Sequence, residues 1–311
     1  MAAFQLSPND EGRHLAGTDE LWGESWYHDF AAADGSYGGY ARLGLYPNLG
    51  VAWYWVYLVR RGQPLVFIRD HTVACPAKDA PLDLSTDQYR ASWRCTEPLR
   101  SWRITTEGTG TALADPAQAF HGEAGPDVPV RVDLTWTGAA SVFPYTMTTR
   151  YEQAAWVEGE MVIGDERIEV RCPGERDHSW GVRDWWAFPW LWSSGRLDDG
   201  TWFHAVRSLV TGAGASNFQT GFIVDPDMTM HTVTHVDFTP TIDAEKLLVR
   251  GDLDIEGLQL AVTAELQAPV LLVSTEGKES RFPRAVSRFE ARDGRTGYGW
   301  TELNWPDGWP Q

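Results

Sequence analysis

The sequence predicts an all-β protein built from two tandem antiparallel domains, each a β-barrel or sandwich of similar design. Apolar and aromatic runs with two-residue alternation recur along the chain, and turn residues separate them about every eight to twelve positions. Helical periodicity is weak throughout, and only the stretch DPAQAF favours a short helical turn. Together these observations indicate a fold made almost entirely of strands.

Four hairpins can be assigned in chain order. The first joins YARLGLY to VAWYWVYLV through the turn PNLG (47–50). The second joins MVI to ERIEV through Gly164 and Asp165. The third pairs WFHAVRSLV with FQTGFIV, and the fourth folds LLVRGDLDI onto LQLAVTAEL.

An internal similarity indicates that the two halves are related. At a constant offset, Arg42 aligns with Arg207, and the aromatic strands around these residues align as well. A repeat of this kind predicts two copies of one structural unit. We therefore expect an N-terminal domain at residues 1–150 and a C-terminal domain at residues 151–311, with the boundary near TTRYEQ (148–153) and a cleft between them.

The composition limits the classes of partner. The net charge of −17 and the scattered basic residues argue against binding to nucleic acid or to an anionic membrane surface. No apolar stretch approaches the roughly 18 residues of a transmembrane helix, and the N-terminus does not resemble a secretory signal. Three widely spaced cysteines indicate a reducing compartment. We therefore expect a cytoplasmic protein without membrane insertion.

Tryptophan is the unusual component of the chain. The 17 tryptophans amount to about four times the ordinary share. Their size and their N–H group make them difficult to place in a protein interior. Their number predicts aromatic-walled cavities or a sugar-stacking surface, with a tryptophan-rich core as the alternative.

The segment GERDHSWGVRDWW combines charge, imidazole and indole groups at a predicted strand end. In an extended chain, His178 and Trp180 point to one face and Asp177 points to the other. A buried Asp177 requires a cation, for which Arg176 and Arg183 are nearby candidates. The segment is therefore the strongest candidate for a functional cluster.

Acid–base chemistry is one interpretation of this cluster. Indole surroundings favour the neutral form of a carboxyl, which allows it to act as a general acid at neutral pH. Indole faces also stabilise a carbocation formed by protonation of an alkene or by loss of water from an alcohol. These properties predict hydration, dehydration or cyclisation of an isoprenoid-like substrate. The alternative is a structural latch, in which Arg176, Arg183 and Asp184 only close the end of a barrel.

The stretch VRCPGERDHSWGVRDW resembles the Asp-His-x-Trp-Gly segment of bacterial carotenoid 1,2-hydratase and AttH-like proteins, which are tandem lipocalin-like β-barrels related in fold to tocopherol cyclase. Residues 24–55 together with RDHSWGVRDWWAF also resemble a large bacterial group near that superfamily, over most of the chain. The resemblance implies two lipocalin-like domains. It also implies that His178 and Trp180 belong to an active site between the two barrels.

One feature of the hydratase pattern is missing. That family carries an acidic residue on a following strand, in a Tyr-x-Asp arrangement, whereas GTWFHAVRS offers only His204 here. The candidate proton donors are therefore Asp177, Asp184 and Glu302.

Further side chains are expected to form a substrate pocket. Both faces of the strand GVAWYWVYLV are apolar, so it is either buried on two sides or lines a lipophilic pocket. The candidate substrate-binding residues are Trp53, Trp55, Arg183, Trp185, Trp202 and His204.

The sequence predicts neither a metal nor a cofactor. His231 and His235 would lie about 13 Å apart along a strand, too far to share one ion. The chain also lacks a glycine-rich phosphate loop and a nucleotide fingerprint.

Three functions remain open at this point. The leading one is a cofactor-independent enzyme that acts on a lipophilic, terpenoid or steroid-like small molecule by proton-initiated hydration, dehydration, isomerisation or cyclisation. Its candidate catalytic residues are Asp177, His178, Trp180 and Asp184. The alternatives are a non-catalytic protein that binds a lipophilic ligand, and a β-sandwich glycosidase or glycan-binding module.

Overall fold

A computed structural model describes residues 5–122, 124–210 and 218–309. These residues form 22 strands and two short 3-10 helices, Pro8–Glu11 and Pro116–Phe120. The second helix coincides with the predicted DPAQAF turn, where the Asp115 side chain accepts a hydrogen bond from the backbone N–H of Ala117. The predicted all-β class is confirmed.

The first group of strands runs from residue 22 to residue 182. It comprises β1 (Trp22–Ala31), β2 (Tyr37–Tyr46), β3 (Val51–Arg60), β4 (Leu65–Ala74), β5 (Leu82–Ser85), β6 (Tyr89–Glu97), β7 (Ser101–Leu113), β8 (Asp127–Gly138), β9 (Phe143–Pro144), β10 (Arg150–Ile163) and β11 (Glu166–Val182).

The second group runs from residue 190 to residue 306. It comprises β12 (Trp190–Leu197), β13 (Trp202–Ser208), β14 (Gln219–Val224), β15 (Met230–Val233), β16 (Val236–Ile242), β17 (Leu248–Ile255), β18 (Leu258–Gln267), β19 (Val270–Val273), β20 (Glu279–Phe282), β21 (Arg284–Ala291) and β22 (Thr296–Pro306).

The two groups form two antiparallel sheets with matching strand order. The first follows β4-β3-β2-β1-β11-β10-β8-β7-β6-β5, and pairing of β4 with β7 closes part of it into a barrel. The second follows β15-β14-β13-β12-β22-β21-β18-β17-β16. In both sheets the first strand pairs with the last long strand, so the internal repeat seen in the sequence corresponds to a repeated topology.

The sheets also show where one unit ends and the next begins. The boundary expected at residue 150 falls on the first residue of β10, which belongs to the first sheet. The chain passes to the second sheet between residues 182 and 190. The long hairpin of β10 and β11 therefore belongs to the first unit, and the division into two folding domains stays a prediction.

The four assigned hairpins are all present. The β2–β3 pair turns at residues 47–50, where Gly50 has a φ of 71° that favours glycine. The β10–β11 pair turns at Gly164 and Asp165, and Gly164 has a φ of 61°. The remaining two are the β13–β14 and β17–β18 pairs.

Strand alternation decides which space each side chain faces. On β1 and β11, Trp26 and His178 stack inside the barrel, whereas Tyr27 and Asp177 face the second sheet. All residues of β1 are buried, because its two faces are covered by the barrel interior and by the other sheet. Adjacent residues on these strands therefore have entirely different surroundings.

Tryptophan fills two separate spaces. Trp26, Trp93, Trp102 and Trp136 belong to the core inside the first barrel. A second set lies between the sheets and continues into an open cleft, and it includes Trp53, Trp55, Trp192 and Trp300. Tryptophan therefore lies both in the packed core of the first barrel and between the two sheets.

The sheets approach each other closely beside the cleft. The indole N–H of Trp300 donates to the backbone oxygen of Phe30 across the interface, at 2.9 Å. A Cβ at Gly38 would lie 2.6 Å from Val286, so the absence of a side chain permits this contact. Among the described residues, no helix is long and apolar enough to cross a membrane.

Candidate active site

A cleft of about 420 Å³ opens between the two sheets. Its walls come from β1, β2, β3, β10 and β11 on one side and from β12, β13, β20, β21 and β22 on the other, with the link between the sheets at its rim. The aromatic side chains that line it are Tyr27, Trp55, Tyr145, Trp185, Phe188, Trp190, Trp192, Phe218 and Phe282.

Two carboxyl groups reach this cleft from opposite sheets. Asp177 on β11 is 5 % exposed, and Glu302 on β22 is 6 % exposed. Asp177 Oδ2 accepts a hydrogen bond from Arg150 Nη2 at 2.8 Å, and Glu302 Oε2 lies 2.6 Å from Arg284 Nη1. The cation that Asp177 requires is therefore Arg150 on the neighbouring strand, rather than Arg176 or Arg183.

Burial dominates the protonation of both groups. It raises the pKa of Asp177, although the Arg150 guanidinium opposes the shift. It raises the pKa of Glu302 as well, against the opposing effect of Arg284, and the charge of Asp177 adds to this increase. Each carboxyl therefore holds its proton more tightly than an exposed carboxyl does.

A second layer of acids lies behind the cleft. Burial raises the pKa of Glu152 to about 8 and that of Glu175 well above its ordinary value. The hydroxyl of Tyr145 lines the cleft and lies 3.1 Å from Glu152 Oε1 and 2.7 Å from His204 Nε2. Burial lowers the pKa of His204 well below its ordinary value, so its imidazole is neutral. Tyr145 thus connects the cleft to a buried set of proton-holding groups.

Asp29 belongs to this second layer. Its carboxyl accepts hydrogen bonds from the Tyr27 hydroxyl at 3.0 Å and from the backbone N–H of Glu175 at 2.8 Å. Burial nevertheless raises the pKa of Asp29 to about 7. Its charge is therefore unfavourable in the folded protein up to neutral pH.

The raised pKa of Asp29 predicts a pH dependence of stability. A carboxyl whose pKa is higher in the folded state stabilises the fold fully below its unfolded pKa, and this contribution is lost as the pH rises toward the folded pKa. We expect Asp29 to lower the free energy of unfolding between about pH 4 and about pH 7. Urea unfolding of Asp29→Asn should give a flatter profile over this range, whereas the exposed control Asp252→Asn should follow the wild type. An unchanged slope in Asp29→Asn would contradict the assignment.

The structure places His178 and Trp180 on the opposite face of β11 from Asp177. His178 is fully buried, stacks on Trp26 at 4.5 Å, and its Nε2 lies 3.0 Å from Glu24 Oε1. Trp180 stacks on His14 at 3.7 Å. The expected location between the two barrels is therefore corrected: both side chains lie within the first unit, because β-strand alternation separates them from Asp177.

Removing the His178 imidazole tests whether it is structural. His178→Ala should lower the free energy of unfolding by roughly 2–4 kcal/mol, because it opens space beside Trp26 and leaves Glu24 without one partner. Ligand affinity in the cleft should be unchanged. The exposed His121→Ala is the matched control in chemical unfolding. Loss of turnover in a His178→Ala protein of wild-type stability would instead support the catalytic role implied by the family resemblance.

The other expected site residues divide between the cleft and its surroundings. Trp55, Arg183, Trp185 and Asp184 line the cleft, but Asp184 is exposed and its carboxylate accepts from the backbone N–H of Trp186. The position of Asp184 in water makes it the least suited of the three proton-donor candidates.

Three of the expected pocket residues do not line the cleft. Trp53 packs on Tyr46 and His71. Trp202 contacts Trp156 at 5.2 Å, and His204 lies in the second layer behind Tyr145. Their aromatic character gave no indication of which face they would occupy.

Several residues that line the cleft are not among the site residues predicted from the sequence. They are Tyr27, Arg42, Tyr145, Arg150 and Arg284. Alternation from Asp177 along paired strands would have selected Tyr27 and Arg150, because both oppose β11 on the same face, but the strand pairing was not known. Nothing in the sequence pattern distinguished Arg284 from other arginines on predicted strands.

Among the described residues, two groups of three side chains hold possible metal-ligand atoms within 4.8 Å of one another. The first group is His14, Glu24 and His178, and the second is Glu152, Glu175 and His204. In the first group Glu24 bridges the two imidazoles by hydrogen bonds. In the second, Glu152 is held by the Arg150 guanidinium at 2.5 Å, which opposes binding of a second cation. That the protein functions without a metal ion stays a prediction.

The two tandem sheets of matching strand order have the fold of an AttH-like protein of known structure. An AttH-like protein from Nitrosomonas europaea superposes with a TM-score of 0.64 at 15% identity, covering 97% of each chain. Kievitone hydratase from Nectria haematococca gives 0.59 at 12% identity, covering 92% of this chain and 90% of its own. CghA gives 0.61 at 9% identity, covering 96% and 95%.

The chain belongs to the family described as a domain of unknown function, DUF7064, whose model matches residues 7–307. No curated protein matches the sequence. The resemblance expected from the sequence is confirmed at the level of the fold, and the low identities leave the reaction to be argued from this chain's own side chains.

Proposed function

We propose that this protein is an enzyme of the hydratase or cyclase type that transfers a proton from a buried carboxyl group to a lipophilic small molecule in the cleft. The observation that carries the proposal is the placement of Asp177 and Glu302. They reach one aromatic-walled cleft from opposite sheets, and burial raises the pKa of both. A carboxyl that keeps its proton to higher pH than an exposed carboxyl is better suited to general acid catalysis.

The two carboxyls divide the work of acid and base. Because the charge of Asp177 raises the pKa of Glu302, a state with one protonated and one ionised carboxyl is favoured over a state with two ionised groups. For hydration, water adds to one carbon of the double bond while the ionised carboxyl accepts a proton from that water, and the protonated carboxyl then delivers its proton to the neighbouring carbon. Dehydration follows the same steps in reverse. Both proton carriers are side chains of the chain, so the reaction as written requires no cofactor.

The arginines of the cleft restrict the type of intermediate. Arg42, Arg150, Arg183 and Arg284 all line it. A free carbocation would be repelled by these charges, whereas negative charge developing on a substrate oxygen would be stabilised. The cleft therefore favours a substrate with a carbonyl or hydroxyl group next to the reacting carbon, and this modifies the carbocation chemistry expected from the indoles alone.

The substrate is a compact lipophilic molecule, in keeping with the terpenoid or steroid-like class expected from the sequence. The volume of about 420 Å³ lies within the range of small-molecule sites, and aromatic rings such as Trp190 and Phe282 form its apolar walls. We place the enzyme in the cytoplasm, because its three cysteines are unpaired.

Non-catalytic binding of a lipophilic ligand is the second candidate. One observation favours it: Asp177 and Glu302 are each already paired with a guanidinium of their own sheet, as in a structural latch. The same cleft would then hold a ligand without changing it.

Isotope incorporation separates the two functions. The protein is incubated with a panel of lipophilic enones and β-hydroxy ketones in deuterated, ¹⁸O-labelled water, and the recovered compounds are analysed by mass spectrometry. Catalysis predicts deuterium on carbon and ¹⁸O in a new hydroxyl group, at a rate proportional to protein concentration. A compound that co-purifies with the protein but is recovered without label indicates a carrier. A panel that neither binds nor acquires label overturns the proposal.

A further inference from the structure

We infer that the cleft binds the carboxylate group of a lipophilic acid on the guanidinium of Arg42. The inference rests on the proposed function for the location of the ligand and deepens it by naming the substrate class. The environment of this single side chain supports the inference, and Arg42 takes no part in the transfer of protons by Asp177 and Glu302.

Arg42 is buried but incompletely partnered. Its side chain is 4 % exposed and lines the cleft from β2. The guanidinium lies between two indoles, 4.7 Å from the ring centre of Trp55 and 5.1 Å from that of Trp185. Nη2 donates to the hydroxyl of Tyr46 at 3.3 Å, whereas Nη1 has no hydrogen-bond partner in the described part of the chain.

The other cleft guanidiniums already have oxygen partners. These are Asp177 for Arg150, Glu302 for Arg284, and the backbone oxygens of Thr149 and Trp180 for Arg183. No carboxylate of the described residues lies within 4.0 Å of the Arg42 guanidinium, although the charge of Arg42 acts to lower the pKa of both Asp177 and Glu302. A guanidinium is permanently charged, and burying it without an anion is costly even when indole faces contact it. An anionic ligand group would supply the missing partner.

The strand is shaped to hold this guanidinium in place. Gly44 lies two residues further along β2 on the same face, and a Cβ there would be 2.5 Å from Arg42 Nη1. The glycine thus leaves room for the guanidinium to lie against the strand. Tyr46, which accepts from Arg42, also accepts from Trp185 Nε1 at 2.9 Å, so the same hydroxyl fixes both groups. The group is oriented before any ligand arrives.

The charge of the cleft also suits an anion. Four guanidiniums but only three carboxyls line it, although the whole protein carries a net charge of −17. One of those carboxyls, Asp184, lies in solvent, and the acid mechanism keeps another one protonated. A local excess of positive charge attracts an anionic substrate. Guanidinium binds carboxylate through paired hydrogen bonds, which identifies carboxylate as the matching group.

Paired probes test this inference without any need for turnover. The probes are 1-naphthylacetate with its neutral amide, and 4-phenylbutyrate with its neutral amide. Binding to the full chain is measured by isothermal titration calorimetry near neutral pH. We expect each acid to bind the wild type at least tenfold more tightly than its amide. Arg42→Gln should bind acid and amide equally, and Arg42→Lys should retain part of the preference. The exposed Arg94→Gln should behave as the wild type.

A second variant, Gly44→Ala, tests the same site if Arg42→Gln does not fold. Gly44→Ala keeps the charge but displaces the guanidinium, so it should weaken acid binding while leaving amide binding unchanged. Equal affinity of acid and amide for the wild type, or no detectable binding of either acid, would overturn the inference. So would an acid preference that persists in Arg42→Gln. Label incorporation tests the enzyme, and the binding measurements test the Arg42 site. The two experiments are independent, so either proposal can fail while the other is supported.

Discussion

Asp177→Asn and Glu302→Gln are each expected to reduce label incorporation by roughly 10²- to 10⁴-fold, the range contributed by a general acid or base. Both substitutions keep the shape of the side chain and one acceptor oxygen, but they replace the other oxygen with an N–H donor and remove the ability to exchange a proton. Each carboxyl is buried at the cleft and paired with an arginine, so the amide keeps the packing but removes the counter-charge of Arg150 or Arg284. The rate is measured by mass spectrometry under saturating substrate.

Control variants distinguish a loss of proton transfer from a loss of stability or of substrate binding. Asp252→Asn and Glu169→Gln make the same chemical changes at exposed positions and should retain the wild-type rate. Each cleft variant is also compared with the wild type in substrate affinity and in thermal unfolding. Wild-type turnover in both cleft variants would reject the carboxyl mechanism. A loss confined to one of them would assign the proton transfer to that group alone.

Breaking the buried ion pair between Arg176 and Glu11 is expected to destabilise the fold by about 3–5 kcal/mol. Arg176 on β11 is fully buried inside the first barrel, and its Nη2 lies 2.8 Å from Glu11 Oε1. Glu11 ends the helix Pro8–Glu11 and also accepts from Trp102 Nε1 at 2.7 Å. Arg176→Met or Glu11→Gln would leave the remaining partner buried without its counter-charge. The decrease in the free energy of unfolding is measured by urea unfolding.

The ion pair between Arg176 and Glu11 also makes the stability of the fold depend on acid pH. Burial alone would raise the pKa of Glu11, but the Arg176 guanidinium beside it holds the pKa below its ordinary value. A carboxyl with a lowered folded pKa stabilises the fold above its unfolded pKa of about 4.5, and this contribution is lost as the pH falls through the folded value. Glu11→Gln should therefore remove part of the acid-induced loss of stability.

An exposed pair provides the comparison. Arg103 and Asp133 form a 2.7 Å ion pair with side chains 54% and 38% exposed. Arg103→Met should cost less than about 1 kcal/mol. In the double variant Arg176→Met with Glu11→Gln, neither buried charge remains, so the combined loss should be smaller than the sum of the two single losses. Additive losses would show that the two residues act separately. The cleft should bind its ligand unchanged, because Arg176 faces the barrel and Asp177 beside it faces the cleft.

The sequence by itself determined the strand content, the hairpins and the separation of Asp177 from His178. These properties depend on local chemistry: two-residue alternation, glycine at turns and the pleat of an extended chain. Alternation also indicated that the strand containing Trp55 is covered on both faces. What alternation cannot indicate is which of two buried faces meets the barrel interior and which meets the other sheet.

Tertiary structure decided the membership of the site. Arg150 meets Asp177 only because β10 pairs with β11, and Glu302 reaches the same cleft only because the two sheets pack together. Arg42 becomes significant for a similar reason, since the link between the sheets brings Trp185 over it. Such neighbours are distant in sequence, and their contacts depend on register and sheet packing, which no local pattern encodes. The family segment therefore located the strand of the site, whereas long-range pairing determined that Asp177, and not His178, faces the cleft.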